Sequence, residues 1–150
     1  MSEHLDEIDI KILNLLQHNA RQSYAEIGRK IDVNEATIRF RVNKLIENQI
    51  ITRFTTLLNP RKIGLQITGI FLGTIKPENV EVTFERLSNL NEFRHIFEIT
   101  GKYDFLAVAN VSNIEQLSEL KKKIKIIENI EDIEVLATTK LIKIDPGFKL

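Results

Sequence analysis

The chain has 150 residues, of which 43% are hydrophobic and 28% are charged, a composition typical of a folded globular protein of one domain or two small ones. Lysine plus arginine equals aspartate plus glutamate at 21 each, so overall charge argues neither for nor against a nucleic-acid partner. The absence of cysteine excludes disulfides and thiol catalysis, and the three histidines are too dispersed to predict a metal site. Without a signal core or an apolar run of ~20 residues, the chain is expected to be cytoplasmic, with no membrane partner.

Capping residues predict two helices at the start of the chain. Asp6, with Asp9 three residues later, begins a helix over Leu5–Asn19. A full S-x-x-E capping box from Ser23 to Glu26 begins a short second helix. Both helices carry apolar residues at helical spacing, so each is expected to bury one face.

A third helix is predicted from Asn34, its N-cap, to Ile51. Ile38, Val42 and Leu45 form its buried stripe, which Ile46 is expected to widen. A short helix, a tight turn and a longer helix with basic residues are typical of a helix-turn-helix, whose second helix enters the DNA major groove. A solvated face with no DNA partner fits the third helix, taken alone, equally well. The exposed residues predicted to meet DNA are Asn34, Glu35, Thr37, Arg39 and Arg41.

Local charge favours the DNA interpretation. Between Arg21 and Lys44 there are six basic residues against three acidic ones, so a positive face is possible within a neutral chain.

After this region, Ile50–Leu58 is β-branched and apolar, and Asn59-Pro60 interrupts it, which predicts a β connector. The predicted domains are residues 1–50, a β linker at 51–64, and a second domain at 65–150.

The second domain is predicted to follow the order β-α-β-β-α-β. This pattern is typical of a ferredoxin-like fold, with a four-stranded antiparallel sheet and both helices on one face. The other face keeps aliphatic residues, so a second subunit is expected to cover it. The predicted elements are strand Ile67–Ile75, helix Glu78–Leu90, strand Phe93–Ile99, strand Asp104–Val111, a helix capped by Ser112 and Glu115, and strand Ile133–Ile144.

The pattern also predicts which side chains of the second domain are buried. Alternation along the second strand places Phe93, His95, Phe97 and Ile99 on one face. Phe84, Phe93 and Phe97 are expected in the core.

Taken together, the two halves resemble the Lrp/AsnC family, the feast/famine regulators of bacteria and archaea. The stretches that carry the resemblance are LDEIDIKILNLLQHNAR, SYAEIGRKIDVNEATIRFRVNKLIENQIITRFTTLLNPRKIG, TGKYDFLAV and ATTKLIKI. The resemblance extends over nearly the whole chain. One departure is Gln49, where the family usually has glycine at the end of the recognition helix.

The resemblance implies a sequence-specific transcriptional regulator of α+β class, with a winged helix-turn-helix and a ferredoxin-like domain of the RAM type. It implies dimers formed through the sheets, which often assemble further, here expected to reach an octamer. It also implies a small amino acid effector bound at contacts between dimers, and no other cofactor. The effector-binding residues that it implies are Glu98, Thr100, Gly101, Lys102, Tyr103, Asp104, Ser118, Lys122, Leu136, Ala137, Thr138 and Thr139.

The residue chemistry agrees with an amino acid ligand. Gly101 allows close backbone approach to a carboxylate, and Asp104 can accept from an ammonium group. A plain hairpin turn, in which Asp104 bonds its own backbone, is the alternative. Ser118 and Lys122 lie four apart and share a helix face, so they favour a ligand with a side-chain oxygen, glutamine-like rather than cationic.

Two other functions are alternatives to transcriptional regulation. Sirohaem-type decarboxylases resemble the same family in both domains, and His95 beside Arg94 is the one candidate here for a tetrapyrrole contact. A non-specific, DNA-compacting protein is the other alternative. The G-x-x-x-x-G-K-[ST], H-E-x-x-H and G-x-S-x-G motifs do not occur, and we expect a protein that is not an enzyme.

Overall fold

The computed structural model describes residues 5–150, so the predictions for the first four residues lie outside the described part. The chain forms two compact units. One contains the residues up to Thr56 together with Lys143–Leu150, and the other is Leu57–Ile142. Within the described residues no helix is long and apolar enough to cross a membrane.

The first unit is built from three helices, α1 (Glu7–His18), α2 (Tyr24–Ile31) and α3 (Glu35–Glu47). The predicted N-caps are confirmed: Asp6 and Ser23 each close a full capping box, and the Asn34 side chain accepts from the N–H of Thr37 at 2.8 Å. The buried residues of the unit are Ile12, Leu13, Leu16, Ile27, Ile38, Val42 and Leu45.

The backbone at Gly28, inside α2, and at Gln49, after α3, has features that shape this unit. A Cβ on Gly28 would lie 2.3 Å from the carbonyl oxygen of Val33, so α2 and the turn into α3 touch backbone to backbone. At the end of α3, Gln49 has φ 57° and occupies the left-handed region that glycine adopts more readily. Ile46, expected to widen the buried stripe, is instead 41% exposed.

The predicted β connector is wrong. Residues 52–59 form no strand, and only a 3-10 turn at Pro60–Ile63 interrupts the segment. Likewise, no β wing accompanies the three helices within the described chain. A β-branched, apolar composition makes a strand only where a neighbouring segment supplies hydrogen-bonding partners, and none within residues 5–150 does so for this segment.

The second unit confirms the ferredoxin-like prediction. Its sheet has the order β2-β3-β1-β4, and all three neighbouring pairs are antiparallel. The helices pack on one face over a common apolar core. The elements are β1 (Ile67–Ile75), α4 (Val80–Ser88), β2 (Phe93–Glu98), β3 (Phe105–Val111), α5 (Ile114–Lys125) and β4 (Ile130–Ala137).

Two predicted boundaries in this unit are wrong. The N-cap of α5 is Asn113, which accepts from the N–H of Gln116, whereas the predicted cap, Ser112, donates its own N–H to the Gln116 side chain. β4 ends at Ala137 instead of Ile144. The Thr138 N–H still bonds the Thr68 carbonyl, but β1 begins at Ile67, so residues 140–144 have no partner in β1.

A bulge in β2 overturns the predicted alternation. Phe93 pairs with Ala109, and His95 pairs with the next residue along β3, so Arg94 is an extra residue in the ladder. Phe93 therefore packs in the core edge-to-face on Phe71, at 5.4 Å between ring centroids. Phe97 was expected in the core as well, but the bulge turns it to the opposite face, where it is 51% exposed.

Candidate nucleic-acid interface and effector site

Arg39 lies on the exposed side of α3, held by two neighbours. Its guanidinium forms an ion pair with Glu35 at 2.8 Å, one helical turn earlier, and lies 5.3 Å from the centre of the Tyr24 ring. The side chain remains 60% exposed. Both contacts are on the surface, so Arg39 can exchange them for a phosphate or a base edge at small cost.

Arg41 is placed differently, because it ties α3 to the start of α1. One nitrogen of its guanidinium contacts Asp6 at 2.6 Å and Asp9 at 2.9 Å, and the side chain is 24% exposed. Hydrogen bonds from the Asp9 N–H and then from Arg41 lower the pKa of Asp6, while the bond to Asp6 raises the pKa of Arg41. The two carboxylates that cap α1 thus also neutralise an arginine of the recognition helix.

The outermost ridge of α3 contains a residue that the prediction omitted. Ala36, Phe40, Asn43 and Glu47 recur at i, i+4, i+7 and i+11, opposite the buried stripe, and all four are exposed. Phe40, at the middle of this ridge, is 69% exposed. A helical projection of the sequence places Phe40 on this ridge, but a prediction limited to polar residues omits it.

Among the predicted effector residues at the Gly101 turn, Asp104 already forms hydrogen bonds within the chain. The Asp104 carboxylate accepts from the N–H of Ile75 at 2.7 Å, and the Asp104 backbone bonds Gly73 and Ile99 at 2.9 Å each. The carboxylate thus bonds the backbone of β1 and not that of its own turn, which differs from the plain hairpin alternative. Gly101 has φ 125°, a backbone conformation that glycine adopts more readily than other residues.

Tyr103 and Lys102 extend the turn across the sheet. The Tyr103 hydroxyl donates to Glu134 of β4, and the Lys102 ammonium lies 4.8 Å from the centre of the Tyr103 ring. A hydrogen bond with Tyr103 raises the pKa of Lys102. The turn therefore offers both a cation and carboxylates to a charged ligand.

The predicted effector residues do not meet within one chain. The turn side lies beside Gly73, which pairs with Phe105, whereas Ala137 pairs with Gly69 and Thr138 bonds Thr68. Five residues of β1 separate the two positions, about 17 Å at the rise of a strand. Ser118 and Lys122 are exposed on α5, which packs on the helix side of the sheet. Within one chain these predicted effector groups therefore lie apart.

His95, the candidate for a tetrapyrrole contact, stacks on Phe97 at 6.0 Å between ring centroids. It lies on an exposed strand position of the sheet. Among residues 5–150 no group of three or more histidine, aspartate or glutamate side chains could hold a metal ion.

Comparisons with known proteins match both units. A model of the AsnC-type helix-turn-helix domain matches residues 5–46, and one of the Lrp/AsnC ligand binding domain matches residues 67–148. The HTH-type transcriptional regulator Ptr1 of Methanocaldococcus jannaschii is 43% identical over 105 residues, 70% of this chain and 71% of that protein. The structure of AsnC from E. coli has a TM-score of 0.85 at 27% identity, covering 95% of this chain and 99% of that one.

A second solved structure shows the same fold at lower identity. It is the complex of the regulator NMB0573 from Neisseria meningitidis with L-Met, with a TM-score of 0.90 at 22% identity and 97% of each chain covered.

A helix-turn-helix unit joined to a ferredoxin-like α+β unit defines a class of transcriptional regulators that combine DNA binding with a ligand-binding domain. Matches to family models for both units and the identity to Ptr1 make the assignment specific. The chain belongs to the Lrp/AsnC family of transcriptional regulators.

Proposed function

We propose that this regulator recognises a specific double-stranded DNA sequence through the exposed side of α3, and that an amino acid bound between copies of the chain modulates it. The observation that supports DNA recognition is the exposed N-terminal half of α3, with Arg39 accessible and its first turn capped by Asn34. Asn34, Glu35 and Thr37 belong to the same turn and can position the helix against phosphates or bases.

Binding of duplex DNA by the full-length protein and by an Arg39→Ala variant tests this proposal. If Arg39 contacts a base, its loss should weaken binding by about 1–3 kcal/mol and relax selectivity at one position. Ser112→Ala, on the surface of the other unit, is the matched control and should bind as the unsubstituted protein does. Equal affinity for selected and random duplexes would favour the compacting alternative.

The effector proposal is supported by the distribution of polar groups over the second unit. The Gly101 turn supplies the Lys102 ammonium group and the Asp104 carboxylate, and the Thr138–Thr139 end supplies hydroxyls about 17 Å away. Two copies in contact can bring one end against the other. That a regulator of the same fold was solved with L-Met supports an amino acid as the ligand class.

We further propose a glutamine-like ligand. Ser118 and Lys122 share an exposed face of α5 and can donate to a side-chain carbonyl or carboxylate. A lysine or arginine ligand would bring a second cation within a few ångströms of Lys122, which costs on the order of 1 kcal/mol or more in a partly dry pocket.

A thermal-shift screen of the twenty amino acids, followed by calorimetry, tests the effector. Glutamine or glutamate should raise the melting temperature of the unsubstituted protein most, because a ligand that prefers the folded assembly stabilises it. In Lys122→Glu, that affinity should fall and affinity for lysine or arginine should rise. Tightest binding of lysine or arginine by the unsubstituted protein would contradict the placement of Lys122.

The assembly follows from the uncovered sheet face. Ile70, Leu72, Leu106 and Val108 line the centre of that face, and Phe97 and Leu136 flank it. We propose that two copies bury these faces against each other, and that dimers assemble further, as far as an octamer, to complete the effector sites.

A further inference from the structure

Phe40 is the feature of the recognition helix that the proposed DNA contacts leave unexplained. It is the sixth residue of α3, in the half that enters a major groove in helix-turn-helix proteins. Its ring is 69% exposed at the middle of the outermost ridge, directly opposite the buried side chains of Ile38 and Val42. A large apolar ring at this position contributes nothing to the core of its own unit.

The surroundings of Phe40 favour a nucleic-acid occupant over an apolar one. Arg39 and Lys44 lie on either side of the ridge and are exposed, so the ring sits between two cations that suit flanking phosphates. Ala36, one turn earlier, is small and leaves the ring free to reach the floor of a groove. Asn43, one turn later, is an exposed amide of the type that pairs with adenine.

Resting on the proposed DNA recognition, we infer that Phe40 reads thymine by contact with its C5-methyl group in the major groove. Thymine is the one standard base that presents a methyl group there, whereas the others present only donors and acceptors. A phenyl ring placed on those edges would bury polar groups without partners, which costs affinity. Phe40 therefore selects a T·A pair both by attraction to the methyl group and by rejection of the other pairs.

The test uses the full-length protein and a duplex enriched from a random library by binding to it. Each thymine of the enriched site is replaced in turn by deoxyuridine, which removes the methyl group and keeps base pairing unchanged. We expect about a fourfold loss of affinity at one position per half-site, the factor for one buried methyl-sized group. Deoxyuridine at the remaining thymines, the internal control, should leave affinity unchanged.

A Phe40→Ala variant assigns the effect to the ring. It should bind thymine and deoxyuridine duplexes alike at the sensitive position, whereas Arg39→Ala should keep the fourfold difference while weakening binding to both. Because Phe40 is exposed, the variant should retain the melting temperature of the unsubstituted protein. Placing 5-methylcytosine, paired with guanine, at that position should recover part of the affinity that unmethylated cytosine loses.

Several results would overturn the inference while leaving the proposed function standing. These are selective binding without sensitivity to deoxyuridine anywhere, or a sensitivity that persists in Phe40→Ala. If Phe40→Ala lowers the oligomer mass in sedimentation and leaves DNA binding unchanged, a second copy covers the ring and the inference is wrong. Failure to enrich any duplex would instead contradict the proposed sequence-specific DNA recognition, and the inference would fall with it.

Discussion

Among single residues, Arg41 shows how a basic residue of a recognition helix can serve the fold. Its contacts to Asp6 and Asp9 join the middle of α3 to the start of α1. We expect Arg41→Ala to lower the melting temperature, because it leaves two carboxylates without their partner, whereas Arg39→Ala should not. Arg41→Lys should recover only part of the loss, since an ammonium group lacks the fork of the guanidinium. A thermal melt of the three variants checks this, and equal melting temperatures for both alanine variants would contradict it.

The same contacts predict a pH dependence of stability. Because the pKa of Asp6 is lowered in the folded chain, its carboxylate adds stability above its ordinary pKa, and that stability is lost as pH falls through the folded-state pKa. Asp6→Asn keeps a side chain that can cap α1 but removes the charge. The melting temperatures of the two proteins should therefore differ at neutral pH and converge as pH falls through the folded-state pKa of Asp6. A difference that stays constant as pH falls would contradict the lowered pKa of Asp6.

Gln49 holds a backbone conformation that suits glycine, the residue that the family usually has there. Its φ of 57° follows directly on the end of α3. Gln49→Gly should raise the free energy of unfolding by about 0.5–1 kcal/mol, since the left-handed conformation penalises a Cβ. The matched control is Asn48→Gly, one residue earlier, where φ is −83° and glycine should be neutral or destabilising. Denaturant titration measures both, and a loss of stability in Gln49→Gly would contradict the prediction.

At the scale of elements, the approach of α2 to α3 depends on Gly28. Helix propensity alone would favour alanine in α2 by about 1 kcal/mol. A Cβ there would lie 2.3 Å from the Val33 carbonyl oxygen, a backbone atom that cannot move aside without displacing the turn. We expect Gly28→Ala to destabilise the first unit by about 1–3 kcal/mol and to weaken DNA binding. An unchanged or raised melting temperature would show that the turn between α2 and α3 can shift to accept the Cβ without loss of stability.

The elements themselves were largely predictable because local chemistry determines them. The capping boxes at Asp6 and Ser23 and the unbroken alternation of β1 depend on residues within a few positions of each other. The bulge at Arg94 was not predictable, since a ladder with an extra residue depends on the register of a strand distant in sequence. For the same reason the sequence alone does not place the end of β4, which depends on its register against β1.

The candidate site was less predictable than the fold. A helical projection finds the exposed ridge of α3, but it cannot show that Arg41 is held by Asp6 and Asp9. Spacing in sequence likewise cannot show that the Gly101 turn and Thr138 lie at opposite ends of β1. Both the contacts of Arg41 and the separation of the effector groups depend on residues that are distant in sequence.

At the scale of the whole molecule, the uncovered sheet face predicts self-association. Leu106 lies on β3 near the centre of that face. In the full-length protein, Leu106→Glu should lower the oligomer mass in sedimentation at micromolar concentration, because a carboxylate cannot be buried unpaired between two sheets. Ser112→Glu adds the same charge outside the sheet and should leave the mass unchanged. A monomeric unsubstituted protein would contradict this mode of assembly.

The separation of the effector groups along β1 has a consequence for how such a regulator measures its ligand. The proposed pocket, shared between copies, would exist only in assembled protein, so ligand affinity and protein abundance would be thermodynamically linked. Diluting the protein should weaken apparent ligand affinity, and adding ligand should drive assembly. A cell that makes more of this regulator would then respond at a lower amino acid concentration. The ligand concentration that triggers a response would thus depend on the amount of the regulator.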